Sequence, residues 1–157
     1  MTIALLLAAA SWPLTPDGYG PARIGMTQAE VAKALHTRLT GEAIEDEATC
    51  VEKEATAFPG VLFMFEDRKL ARVSLWEGSK VTTARGIGMG ATADAVRRAY
   101  GKAVKAEPHY YEGRPSEYLT VWTVPKKRGV RFETNGKRRV QAIHAGTSAI
   151  QYVEGCA

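Results

Sequence analysis

The chain has 157 residues, of which 45% are hydrophobic and 24% are charged, and its formal net charge at pH 7 is +4. This length and composition fit a compact globular protein and exclude both wholesale disorder and a bundle of membrane helices. The positive charge is spread over many positions, so we interpret it as an aid to solubility and expect no nucleic-acid partner.

The N-terminal residues form an apolar run that ends in small side chains, and Ala8 and Ala10 have the spacing of a signal-peptide cleavage site. The run is shorter than the about 20 apolar residues needed to span a bilayer, and the prolines that follow it break any helix. We therefore predict a signal peptide at residues 1–10 and a periplasmic or secreted bacterial protein. A buried N-terminal helix is the alternative. Because no cysteine follows the run, we expect no lipid anchor.

Two segments of the chain share one pattern: residues 24–35 reappear in pattern as residues 89–100. In each segment a threonine, Thr27 or Thr92, stands where a helix N-cap would accept hydrogen bonds from free backbone amides. Thr27 and Glu30 also have the spacing of a capping box. The pattern predicts one short helix in each segment.

Alternating apolar and polar residues follow each predicted helix and indicate strands. After the first helix, strands are predicted at 61–65 and 70–76 around a polar turn, with a weaker one at 49–54. After the second they are predicted at 118–124, 129–133 and 139–143, with Asn135-Gly136 as a hairpin turn. Residues 41–47 and 110–116 are expected to be exposed loops.

These elements predict an α+β fold of two tandem helix-plus-antiparallel-sheet repeats, αβββ-type units packed together. The first repeat covers residues 18–80 and the second residues 81–157, in one compact globular unit. Cys50 and Cys156 lie far apart and lack C-x-x-C spacing, so in an exported protein they predict one disulfide. In a cytosolic protein they would be two buried free thiols.

The Gly-Met-Thr-x-x-x-Val segment that opens the first helix, followed by strands, resembles the β-lactamase-inhibitor-protein fold. One helix-plus-strands unit of this chain is also similar to the SmpA/OmlA family of outer-membrane assembly lipoproteins, which has a single unit of this kind. The resemblance implies a bacterial envelope protein that presents a sheet surface and loops to another protein. The chain departs from both groups, because it lacks a cysteine for lipidation and has one predicted bridge between units rather than one within each.

No catalytic, cofactor or metal motif is present in the sequence. The histidines His36, His109 and His144 are far apart and lack metal-site spacing. Neither G-x-S-x-G nor S-x-x-K occurs, and the glycines at 86–90 form neither a dinucleotide-binding nor a Walker motif. We therefore predict that the protein is not an enzyme and needs no cofactor.

Two groups of residues are candidates for partner binding. The first is a cluster of ring side chains in a predicted loop, which suits ligand contact but equally suits loop packing: His109, Tyr110 and Tyr111. The second is a set of basic residues around the last hairpin, which would form a basic patch or simply block aggregation at sheet edges: Lys126, Lys127, Arg128, Arg131, Lys137, Arg138 and Arg139.

The sequence thus predicts a non-catalytic exported module for protein interaction or ligand binding. The expected partner is another envelope protein or an anionic envelope component. The alternative function is a proteinaceous inhibitor of a hydrolase such as a β-lactamase or a protease.

Overall fold

The structure is a computed structural model that describes residues 12–41 and 49–156. The predicted signal peptide and most of the acidic run at 41–47 lie outside these ranges. The described part contains eleven strands and two α-helices, in the order β1 (Leu14–Thr15), β2 (Gly18–Tyr19), β3 (Ala22–Arg23), α1 (Gln28–Leu35), β4 (Leu39–Thr40), β5 (Cys50–Ala55), β6 (Val61–Glu66), β7 (Lys69–Leu75), α2 (Ala93–Tyr100), β8 (Lys105–Pro108), β9 (Glu117–Val124), β10 (Arg128–Thr134) and β11 (Val140–Gly146).

Eight strands form a single antiparallel sheet in the order β4-β5-β6-β7-β11-β10-β9-β8, and β1, β2 and β3 form a small second sheet. The predicted α+β fold of two packed αβββ repeats is therefore wrong: the protein is mainly β, with one continuous sheet. The reason is the direct pairing of β7 with β11, in which Leu75 lies opposite Ile143 and Val73 opposite Ala145. This pairing joins the two segments through backbone hydrogen bonds and leaves no sheet edge between them.

Both predicted helices are confirmed, and each begins at the predicted cap. The Thr27 side chain accepts a hydrogen bond from the Glu30 amide, and the Glu30 carboxylate accepts one from the Thr27 amide, which completes the capping box. Thr92 accepts a hydrogen bond from the Ala95 amide at the start of α2. These contacts satisfy amides that a helix leaves free in its first turn.

The two predicted hairpins differ in how closely the structure follows the prediction. Between β6 and β7, Asp67 and Arg68 have φ angles of 47° and 67°, the left-handed pair of a two-residue hairpin turn. Between β10 and β11 the connection is longer than the predicted Asn-Gly turn. The Asn135 side chain there accepts hydrogen bonds from the amides of Lys137 and Arg139, so the side chain closes the loop.

One face of the large sheet, which we call the helix face, holds the main apolar core under both helices and the small sheet. Val31 of α1 and Val96 of α2 are fully buried there against strand residues such as Phe63 and Phe132. None of the helices in the described part of the chain is long and apolar enough to span a membrane.

The opposite face, which we call the outer face, is crossed by the end of the chain. Residues 147–156, here the C-terminal strap, include a short 3₁₀ helix at Ser148–Gln151 that contacts β7, β10 and β11. Gly129 of β10 leaves space for the Ile150 side chain, since a Cβ at Gly129 would lie 3.2 Å from it. The strap ends at the Cys50–Cys156 disulfide, which confirms the predicted bridge and fixes the strap to β5.

Candidate functional site

The outer face carries polar side chains that are nearly inaccessible to solvent. The exposed fraction is 5% or less for each of Arg72, Ser74, Arg131 and His144. They project from the central strands β7, β10 and β11 beneath the strap. Buried polar groups are stable only when hydrogen-bonded, so the contacts among them decide how this face is built.

Ser74 and His144 belong to a chain of polar contacts across the sheet that also includes Glu133 and His109. Ser74 Oγ lies 2.7 Å from His144 Nδ1, and His144 Nε2 lies 3.5 Å from Glu133 Oε2. The other carboxylate oxygen of Glu133 lies 2.7 Å from His109 Nε2. The chain therefore connects β7, β11 and β10 to the loop that begins at His109.

The charge states within this chain follow from burial and hydrogen bonding. Burial lowers the pKa of His144 to about 4, although Glu133 opposes the shift, so the ring is neutral at pH 7. Burial alone would raise the pKa of Glu133, but the hydrogen bonds and charge of His144 and His109 outweigh it and lower that pKa to about 2. At neutral pH, Glu133 is thus an ionised acceptor between two rings.

The order Ser74, His144, Glu133 has the connectivity of a hydrolase triad, but its surroundings do not suit catalysis. Ser74 is only 1% exposed, and β7 is paired on both sides of it. The backbone amides beside Ser74 therefore belong to the sheet ladder and are not free to stabilise an oxyanion. We interpret the chain as structural. Sequence motifs missed it because its members come from separate strands.

His109 anchors the loop that carries the two candidate tyrosines. The ring is buried, stacks on Tyr118 with centroids 4.8 Å apart, and accepts hydrogen bonds at Nδ1 from the amides of Tyr111 and Glu112. Since Nδ1 is an acceptor, the ring proton is on Nε2 and is donated to Glu133. His109 therefore positions the loop, while Tyr110 and Tyr111 remain exposed.

A cleft of about 530 Å³ lies between this loop and the C-terminal strap. Tyr110 and Tyr111 line one side, and Tyr152 and Val153 of the strap line another, next to the disulfide. The exposed fractions of the three tyrosines are 73%, 62% and 41%, in chain order. We call this the tyrosine cleft. Sequence reasoning singled out Tyr110 and Tyr111 but missed Tyr152, whose place here depends on the path of the strap.

Arg72 holds the strap from below. Its guanidinium donates hydrogen bonds to the carbonyl oxygens of Ala149 at 3.1 Å and Tyr152 at 3.2 Å, and it pairs with Glu52 at 3.1 Å. Its Nε atom is buried without a hydrogen-bond partner. Because a buried guanidinium must keep its partners, these contacts fix the backbone of the strap where Tyr152 enters the cleft.

The basic candidates do not come together in one patch. One group lies at the start of β10 and the other lies beyond its end, so a strand of 7 residues, or about 20 Å, separates them. The first group is Lys126, Lys127 and Arg128, and the second is Lys137, Arg138 and Arg139. Arg128 lies 3.7 Å from Asp17 and Arg138 lies 3.5 Å from Asp94, both as ion pairs at the surface. The remaining exposed members are Lys126, Lys127, Lys137 and Arg139.

Arg131 is the exception among the basic candidates because it is 5% exposed. It pairs with Glu107 at 3.0 Å, donates to the Thr120 hydroxyl at 2.9 Å and lies over the Tyr118 ring at 4.7 Å. These contacts link β10 to β9 and the edge strand β8. Arg131 is thus part of the buried polar layer and not of an exposed surface.

No metal centre is evident within residues 12–41 and 49–156, where no group of three potential ligand side chains is close enough to hold an ion. No family model matches the chain, and no curated protein or solved structure is significantly similar to it. The resemblance to the β-lactamase-inhibitor-protein fold therefore stays a prediction.

Proposed function

We propose that the protein is a non-catalytic exported interaction module that binds a segment of a partner protein in the tyrosine cleft. One observation carries this proposal: tyrosines from two distant parts of the chain, the 109–116 loop and the strap, are exposed at the same cleft. Tyrosine is enriched at binding hot spots because its ring offers a large contact area and its hydroxyl a hydrogen bond.

Both walls of the cleft are held in place before any partner arrives. His109 and Glu133 fix the loop, while Arg72 and the disulfide fix the strap. A preformed site loses less conformational entropy on binding than a flexible one. The rigidity of the walls therefore supports a binding role for the exposed rings. The disulfide also supports an exported location, since such bonds persist in oxidising compartments.

The experiment is a selection of peptides from a displayed random library on the immobilised protein. We expect selected peptides that lose binding to Tyr110→Ala and Tyr111→Ala variants by about tenfold or more. The matched control is Val124→Ala, an apolar residue 46% exposed outside the cleft, which should leave binding unchanged. If no selected peptide depends on the tyrosines, the proposal is wrong.

A further inference from the structure

The tyrosine cleft is lined by charge of one sign. Within the described part of the chain its charged lining residues are Glu66 and Glu154, with no lysine or arginine among them. The whole chain, in contrast, has a formal net charge of +4. A local reversal of charge at an exposed cleft favours partners of the opposite sign.

The tyrosine rings leave aromatic surface exposed beside the carboxylates. The centroids of Tyr110 and Tyr111 are 4.9 Å apart and their planes are inclined by 88°, so the edge of one ring packs against the face of the other. The two side chains are 73% and 62% exposed, so ring faces outside this contact remain accessible. The face of an aromatic ring attracts cations through its quadrupole.

A neutral phenol lies beside one of the carboxylates. The Tyr152 hydroxyl donates a hydrogen bond of 2.7 Å to Glu66 Oε1. This bond, together with partial burial, raises the pKa of Tyr152. Tyr152 therefore stays protonated at physiological pH, and its hydroxyl holds the Glu66 side chain at the cleft.

We propose that the occupant of the tyrosine cleft is a lysine or arginine side chain carried by the partner segment. The cation lies against the rings of Tyr110 and Tyr111, and the carboxylates of Glu66 and Glu154 balance its charge. This inference rests on the proposed function and names the chemistry of its partner. It differs from the anionic partner that net charge favours, because the basic residues are dispersed while the cleft is acidic.

The test compares three synthetic peptides of one length and sequence that differ at a single central position, which is Lys, Gln or Glu. Titration calorimetry at low salt should give binding of the Lys peptide at least about tenfold tighter than that of the Gln peptide. The Glu peptide should bind weakest. Raising the salt concentration should reduce the preference for lysine, since partly exposed charges are screened.

Variants of the protein locate the effect. Glu66→Gln combined with Glu154→Gln should weaken binding of the Lys peptide by about tenfold and leave the Gln peptide unchanged. Glutamine still accepts the Tyr152 hydrogen bond, so the wall is preserved. The control is Glu77→Gln, an exposed carboxylate outside the cleft, which should change neither peptide's affinity.

The outcomes separate the inference from the function on which it rests. If library peptides bind in a tyrosine-dependent way but the Lys, Gln and Glu peptides bind equally, the cationic occupant is wrong and the interaction module stands. Tighter binding of the Glu peptide also overturns the inference. If no peptide binding depends on the tyrosines, both proposals fail.

Discussion

The two faces of the large sheet are buried by different means. The helix face is covered by two helices and a small sheet, and its largest side chains, such as Phe63 and Phe132, have no exposed surface. In the part of the chain that the structure describes, the outer face is covered by the strap and the 109–116 loop, and it buries Arg72, Arg131 and His144. Area removed from water stabilises the first face, whereas the second depends on the hydrogen bonds and ion pairs among its buried polar groups.

This difference sets what each face can do. An apolar core tolerates changes that preserve volume, because its contacts have no direction. A buried polar layer accepts only one arrangement of its partners and therefore fixes the position of whatever lies on it. The segments that lie on the outer face are the strap and the 109–116 loop, and both contribute residues that line the tyrosine cleft.

The largest effect should come from removing the disulfide that ends the strap. Its cysteines are separated by 106 residues, and the chain-entropy model gives a stabilisation of about 5 kcal/mol for so long a loop. We expect the Cys50→Ser/Cys156→Ser variant to lose most of this free energy of unfolding in urea titrations. Hydrogen exchange should show amides 152–156 losing protection while α1 and α2 keep theirs. An equal loss of protection in α1, α2 and residues 152–156 would show that the disulfide does not act on the outer face alone.

On the helix face, Phe63→Ala should lower the free energy of unfolding by about 4 kcal/mol, because it leaves a cavity in a close-packed core. Leu62 is the neighbouring residue on the outer face and is partly exposed. Leu62→Ala should cost about half as much. The comparison requires only urea denaturation of the two variants. A larger loss of free energy of unfolding for Leu62→Ala than for Phe63→Ala would contradict the prediction that apolar burial contributes more on the helix face.

On the outer face, Arg72→Met should lower the free energy of unfolding by about 3 kcal/mol, since Glu52 and two strap carbonyls lose their buried partner. Adding Glu52→Gln should recover part of that loss, because no unpaired carboxylate then remains. A double-mutant cycle in urea measures this coupling. Strictly additive losses would mean that Arg72 does not act through its ion pair.

Acid should weaken the outer face selectively. The pKa of His144 is about 4 in the fold against an ordinary 6.5, so the unfolded chain binds this proton first and stability falls between those values. The pKa of Glu133 is about 2 against 4.5, which extends the loss to lower pH. The two side chains contact each other, so their contributions to this loss are coupled and do not simply add.

This pH dependence is measured by urea titrations between neutral and acid pH. His144→Gln should flatten the upper part of the profile, whereas His36→Gln, at an exposed histidine, should not. A profile that is unchanged in His144→Gln would show that the buried ring is not the source of the acid sensitivity.

The smallest effect is expected at the surface. The Arg138–Asp94 pair has an N–O distance of 3.5 Å, and its side chains are 51% and 66% exposed. Arg138→Ala should therefore change the free energy of unfolding by no more than about 0.5 kcal/mol. A loss as large as that of Arg72→Met would show that the surface pair is coupled to the core.

Local signals predicted the elements of the helix face well. The caps at Thr27 and Thr92 and the β6–β7 hairpin could be found because capping and alternation involve residues close in sequence. The pairing of β7 with β11 could not, since nothing local distinguishes a strand at a sheet edge from one in the middle. That single pairing converts the expected two repeats into one sheet.

The candidate site was predictable only in part. Tyr110 and Tyr111 stood out as ring side chains in a loop, but Tyr152 and Glu66 carried no signal of their own. Their meeting depends on the strap, for which the sequence offered only the predicted disulfide. Arg131 was misleading for a related reason: its charge suggested an exposed patch, while Glu107 and Thr120 on other strands allow it to be buried.

The wide separation of Cys50 and Cys156 has a consequence for the order in which the protein is made. A ribosome releases Cys50 well before it has synthesised Cys156, and N-terminal parts of a chain generally fold first. The Cys50–Cys156 bridge therefore cannot form until the strap has been synthesised, and Cys50 lacks its native partner until then.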